Sequence, residues 1–233
     1  MVFLLALLPL DYTSHLITAL GGGIVAVEKS GLYYPNKMGR IYLMAMEEVM
    51  GTNGIKAVLN LAKVPELIDN YPPNNLAREF DFADFGAIGQ SIEEMYGSRG
   101  GRGLALRAGR AAFAQGLSEF GSVVGAGELA FKVIPLATKL KVGLKAVAET
   151  FTKFSDQKSG VEEADDRFVY TIYECPVCWG RSSDRNICYG AVGILQEGLR
   201  WVSGGKDFKV EEVECHANGA ENCVFHVHKE PLN

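Results

Sequence analysis

All five cysteines of the chain fall between positions 175 and 223, and two of them bracket a turn containing Asn218-Gly219 with a carboxylate just upstream. This Glu212-x2-Cys215-x7-Cys223 element constrains the fold more than any other feature. Thiolates are soft ligands, and several converging on one point describe a zinc site. The turn brings Cys215 and Cys223 together, and Glu212 can swing into the same tetrahedron. Cys188, at the start of a helical stretch, is the natural fourth ligand, its thiolate helped by the helix dipole. A Cys3Glu sphere is closed, so the expected zinc is structural. Glu212 and Cys215 have opposite strand parity, so a bulge or the turn itself must reorient one of them. A competing partition takes Cys175 and Cys178 with Cys215 and Cys223, as in a zinc ribbon, and leaves Cys188 over. Buried apolar thiols are the third reading.

An odd number of cysteines does not suit a closed disulfide framework, and a reduced, cytoplasmic setting is expected. The net charge of −5 lacks the basic stripe that a nucleic-acid surface needs. The apolar start MVFLLALLPL is shorter than the ~20 residues of a membrane span and has no positive region before it. Residues 1–35 are therefore expected to be an extension that packs on the domain, with no stable membrane span.

The next part reads as helices. Met38 to Met50 places Ile41, Ala45 and Val49 on one face, with Asn36 as cap and Gly51 as stop. Ile55 to Ala62 is a short helix, and Tyr71 to Asn75 a proline loop. The stripe Phe85, Ile88, Ile92 and Met95 closes at Gly97, and Arg102 to Phe120 is a long helix. From Leu136 to Phe154 the apolar period is 3.6, with lysines off that face.

At Ser155 the composition changes. The acidic run SDQKSGVEEADD is expected as a surface connection, and RFVYTIYEC alternates as a strand. Gly190 to Val202 is helical, and DFKVEEVEC and NCVFHVHKE are two more strands. The order, mostly α and then β-α-β-β, predicts an α+β fold: a helical part over 36–154 and an α/β part over 155–233, one domain overall. His226 and His228 should be solvated, while His216 competes as a ligand beside Cys215. No Ser-His-Asp arrangement, HExxH or P-loop is present in the sequence, and GSRGGRG at Gly97 to Gly103 lacks the Lys-Ser/Thr of a phosphate cradle.

The segment from Cys175 to Val227 resembles the 4-vinyl reductase domain family. The residues that carry the likeness are Cys175-Pro176-Val177-Cys178, Cys188 with Gly190 and Gly193, Glu212 to Cys215, Gly219, and Cys223 with Phe225. RGLALRAGRAAF is similar to the family's Arg-rich helix. The resemblance implies the zinc ligands of the phenol-sensing members, matched here by Cys188, Glu212, Cys215 and Cys223. It implies helices packed on an antiparallel sheet around an apolar pocket, as in the related core subunits of a vesicle-tethering complex, with a zinc-tied C-terminal hairpin. The function implied is binding of a small hydrophobic or aromatic ligand, a tetrapyrrole among the options, with Trp179, Tyr189 and Trp201 expected on the pocket. A homodimer through the N-terminal helices is expected of a sensor. The alternatives are a vinyl reductase or accessory protein of (bacterio)chlorophyll biosynthesis and a tethering scaffold. The former needs a hydride source for which no nucleotide motif is visible, so enzymatic activity is not the first expectation.

Overall fold

The computed structural model describes residues 28–124 and 134–232. The expectation placed on the apolar start MVFLLALLPL lies outside the described residues. The chain begins with strand β1 (Tyr33–Pro35), followed by helix α1 (Asn36–Leu61), strand β2 (Arg78–Asp81) and helix α2 (Phe82–Val124). Helix α3 (Leu136–Phe154) leads into strands β3 (Ser159–Glu163) and β4 (Arg167–Ile172). Helix α4 (Tyr189–Ser203) precedes strands β5 (Phe208–Glu214) and β6 (Cys223–Pro231). Helices and an antiparallel sheet thus form an α+β fold. Among the described residues no helix is long and apolar enough to cross a membrane.

The two glycine stops act as kinks between helical segments. Gly51 and Gly97 sit at φ 77° and 68° inside α1 and α2, a backbone region open chiefly to glycine. Pro135 precedes α3, where its fixed φ suits a helix start. Gly204, in the left-handed conformation, ends α4.

The four-stranded sheet runs in the order β3-β4-β6-β5, every pair antiparallel. Alternation sends Phe168, Tyr170 and Ile172 of β4 and Cys223, Phe225 and Val227 of β6 to the same buried face. Tyr170 pairs with Phe225 and Ile172 with Cys223, so the cross-strand ladder leads directly into the cysteines. Helices α3 and α4 cover that face, forming one core with it. Each fully buried Phe here contributes roughly 1.5–3 kcal/mol. A second core joins α1, α2 and the β1-β2 pair. His226 and His228 lie on the other face, where His226 meets Arg167 at 3.1 Å and His228 meets Glu211 at 3.2 Å.

The acidic run after Ser155 departs from its expected role as a surface connection. Residues 159–163 form β3, the edge strand paired with β4, and Ser155 and Gln157 are buried. Their polarity is offset by hydrogen bonds. The Tyr34 hydroxyl donates to Gln157 Oε1 at 2.5 Å, Gln157 Nε2 donates to Ser159 Oγ at 2.9 Å, and the Tyr33 amide donates to Asp156 at 2.8 Å. Composition reads such a stretch as solvated, whereas paired polar groups are tolerated inside.

Candidate metal centre and apolar cavity

Four separate segments deliver the cysteines. Cys175 and Cys178 flank the proline of a 3-10 turn (Pro176–Cys178) that follows β4. Cys188 is the N-cap of α4. Cys215 leaves β5 into a second 3-10 turn (His216–Asn218), which Gly219 closes at φ 89°, and Cys223 opens β6. The β5–β6 register shifts between Glu212 and Glu214. That irregularity supplies the reorientation that strand parity demands between Glu212 and Cys215.

All five thiols are buried and free. The ligand atoms of Cys188, Glu212, Cys215 and Cys223 lie within 4.8 Å of one another, and so do those of Cys175, Cys178, Cys188 and Cys223. Cys188, which the zinc-ribbon partition leaves over, belongs to both groups. Its sulfur is 3.6 Å from that of Cys175, 3.8 Å from that of Cys215 and 3.7 Å from that of Cys223. The sulfurs of Cys178 and Cys223 are 3.4 Å apart. A tetrahedral ion with Zn–S bonds of about 2.3 Å has edges of about 3.8 Å, close to these separations. The His216 amide donates to the Cys223 sulfur at 3.3 Å, while its imidazole meets the Glu221 carbonyl and belongs to neither donor group.

Glu212 links the hairpin to the helix. Its Oε2 accepts the Cys188 amide at 2.7 Å, so the carboxylate also caps α4. Its Oε1 is buried without a protein partner, an arrangement that costs about 1–3 kcal/mol unless something binds it. Burial, and then the charge of Cys215, push the Glu212 carboxyl up to about 9. Burial together with the surrounding thiols also holds Cys188 well above the usual thiol range. A cation among them reverses the balance by favouring the charged forms.

Arg181 was not singled out by sequence reasoning. Its side chain is only 6% exposed and meets Glu93 of α2 at 2.8 Å. Arg185 also reaches Glu93, and Arg181 donates to the Val177 carbonyl at 3.2 Å. The cysteine loop is thereby tied to α2. No sequence spacing links Glu93 with Arg181, since the pair forms only across the packed elements.

A cavity of about 340 Å³ lies between the four helices. Met38, Ile41 and Tyr42 of α1 face Phe113, Gly116, Leu117 and Phe120 of α2, with Val147 and Phe151 of α3 and Ile194, Gly198 and Val202 of α4. A smaller cavity of about 70 Å³ shares Tyr42, Phe85, Ile194 and Leu195 with it and extends to Ile187 and Tyr189, the residues on either side of Cys188. The wall of the apolar space and the thiol cluster therefore meet at the start of α4.

The aromatic positions expected on a pocket separate in space. Trp201 lines the larger cavity and Tyr189 the smaller, where Tyr189 stacks under the Arg102 guanidinium at 4.8 Å. Trp179 lines neither and packs edge-on against Phe82, because the 3-10 turn folds its backbone onto Gly86 of α2. Most of the lining comes from α1, α2 and α3, including Ile41 and Phe85 of the apolar stripes read from the sequence. For the rest, the small residues of α2 and α4 are the signal that was available. A Cβ at Gly109 would lie 2.1 Å from the Gly190 carbonyl oxygen, and one at Gly193 would lie 2.2 Å from that of Leu106. Only glycine lets these helices approach so closely.

Residues 168–229 match the family model of the 4-vinyl reductase domain. No curated protein matches the chain. Among solved structures the fold is similar to an H-NOX protein studied for heme distortion, at 16% identity and TM-score 0.55, covering 85% of this chain and 97% of that one. An H-NOX protein from S. oneidensis, solved in its Fe(II)NO ligation state, aligns at 14% identity and TM-score 0.51, covering 83% and 98% of the two chains. One from K. algicida, Fe(II) and unliganded, aligns at 11% identity and TM-score 0.51, covering 83% and 95%. At these identities the likeness concerns the fold.

Proposed function

We propose that this chain, which carries a 4-vinyl reductase domain over residues 168–229, is a zinc-braced binding domain for one small hydrophobic or aromatic molecule and works as a sensor or carrier. The observation behind this reading is the cavity of about 340 Å³, bounded by four helices and lined almost wholly by apolar side chains. A site of this kind takes its affinity from buried apolar area and its orientation from a few polar groups. Thr150 and the hydroxyl of Tyr42 are the polar groups on offer.

Cys188, Glu212, Cys215 and Cys223 are the proposed zinc ligands. The donor set fits that ion: three soft thiolates, a carboxylate whose Oε1 has no protein partner, and sulfur separations near a tetrahedral edge. Zinc would supply structure by pinning the β5-β6 hairpin to the start of α4. The smaller cavity touches Ile187 and Tyr189 on either side of Cys188. A ligand that presses on α4 therefore meets a wall held at one end, and the displacement is passed along the helix to its exposed side.

Heme, which the H-NOX structures carry, would find no imidazole or thiolate to hold its iron among the described lining residues of either cavity. The Tyr34 hydroxyl is committed to Gln157. Arg102 and Arg181 line only the smaller cavity. The ligand class is accordingly an uncharged apolar or aromatic molecule. Exposed Met44, Met95 and Tyr96 leave apolar surface on α1 and α2, which supports a homodimer as the unit of output.

Native mass spectrometry of the purified protein, followed by titration with a fluorescent aromatic probe, tests the reading. A co-purifying small molecule, or saturable probe binding that the released molecule displaces, is expected. Absence of both would sink ligand binding. Light scattering at working concentration measures the dimer.

A further inference from the structure

We infer that the thiol cluster holds two divalent metal ions: a second tetrahedral site, made by Cys175, Cys178, Cys188 and Cys223, shares the Cys188 and Cys223 thiolates with the first. This rests on the zinc reading of Cys188, Glu212, Cys215 and Cys223 and extends it.

Donor number is the first argument. Six donors converge here, and a tetrahedral ion uses four. A single ion at Cys188, Glu212, Cys215 and Cys223 would leave Cys175 and Cys178 as protonated thiols pressed against bound thiolates in a dry site. Placing an ion in each group instead gives both ions four ligands, with Cys188 and Cys223 as bridges and no donor left over. Paired zinc ions bridged by two cysteines are an established arrangement in Zn2Cys6 modules. The present set differs by one carboxylate in place of a thiolate.

The distances agree. The shared edge, Cys188 to Cys223, is 3.7 Å. Two edges belonging to the second site alone, Cys175 to Cys188 and Cys178 to Cys223, are 3.6 Å and 3.4 Å. All are near the edge of about 3.8 Å set by Zn–S bonds of about 2.3 Å. An iron–sulfur cluster would have to seat inorganic sulfides between these same cysteines, and sulfurs already in mutual contact enclose room for single ions only.

Charge also favours the second ion. On binding it, Cys175 and Cys178 each release a proton to solvent and each forms a bond to the metal. One divalent cation enters as two protons leave, so the formal charge of the buried cluster does not change. Six donors with one ion and four ionised ligands carry the same net charge as six ionised donors with two ions. The second site therefore adds bonds without adding buried charge.

Metal analysis of the full chain purified with zinc decides the matter. Two zinc ions per chain are expected for the wild type, and one for the Cys175→Ser/Cys178→Ser double variant with its fold intact by circular dichroism. Because that variant can fail to fold, cadmium NMR of the exchanged wild type gives an independent reading: two resonances, each split by the other through the shared thiolates. One zinc per chain with a single cadmium resonance overturns the inference and leaves the single-zinc reading standing. No bound metal overturns both. Iron with acid-labile sulfide in the isolated protein also overturns the two-ion assignment.

Discussion

Replacing Gly116 with Leu tests the cavity and its role together. Gly116 lies inside α2 and lines the cavity, and a Cβ added there meets nothing within 4 Å. Two terms then have the same sign. A non-glycine residue in a helix interior gains about 0.8–1.0 kcal/mol from the chain's reduced unfolded freedom. Filling roughly 100 Å³ of void at about 24 cal/mol per Å³ contributes about 2 kcal/mol more. The sum, about 3 kcal/mol, corresponds to a rise in Tm of about 6–12 °C for a chain of this size. Thermal unfolding without ligand measures it. The leucine occupies space that the ligand needs, so affinity for the aromatic probe should fall at least tenfold, about 1.4 kcal/mol. The two effects are opposed in a way that ordinary destabilisation cannot imitate. A lower Tm would show that the space is already filled. A higher Tm with unchanged probe binding would place the ligand elsewhere.

Three further outcomes are expected. Gly109→Ala must force α2 from α4, since its Cβ would fall 2.1 Å from the Gly190 carbonyl oxygen; a loss of about 1–3 kcal/mol by denaturant titration is expected, and an unchanged midpoint would refute that close approach. Cys215→Ser should release zinc and destabilise the fold by several kcal/mol, since metal binding is partly folding free energy; zinc release followed with a chromogenic chelator should also grow as pH falls, because protons compete for the thiolates. Asp81 is pushed up by burial, but hydrogen bonds from Ser30, Ala83 and Gly31 outweigh this and hold it below its ordinary value of 3.8. Its contribution is thus complete above that value and is lost as pH falls through the lower folded value; Asp81→Asn should cost stability at neutral pH by an amount that shrinks in strong acid, and a gap independent of pH would refute the assignment.

Local signals explain why parts of the molecule are legible in the residues. Gly51 and Gly97 end helical stripes because their backbone needs a positive φ, a property of the residue itself. The convergence of Glu212, Cys215 and Cys223 is legible for the same reason, since a short turn fixes which side chains can meet, and the parity conflict announces the irregularity between Glu212 and Glu214. Strand β3 is not legible in this way. Ser159–Glu163 has too little apolar alternation, and it becomes a strand because β4 offers an unpaired edge. Trp179 shows the converse: a large aromatic beside the cysteine loop is a reasonable pocket residue until the 3-10 turn directs it onto Phe82.

The sequence by itself determines the helical stripes, the strands β4, β5 and β6, the soft-donor chemistry of the cysteine cluster and the pairing of Cys215 with Cys223, because each depends on residue type and on spacings of a few positions. Tertiary structure alone decides that Cys188 and Cys223 are common to two donor groups, that Glu93 holds Arg181, and that four helices leave a void between them. A void is the part of space that packing fails to fill, and a shared ligand is a point where separate segments cross. Neither is carried by any one stretch of chain, so both appear only when the segments are assembled.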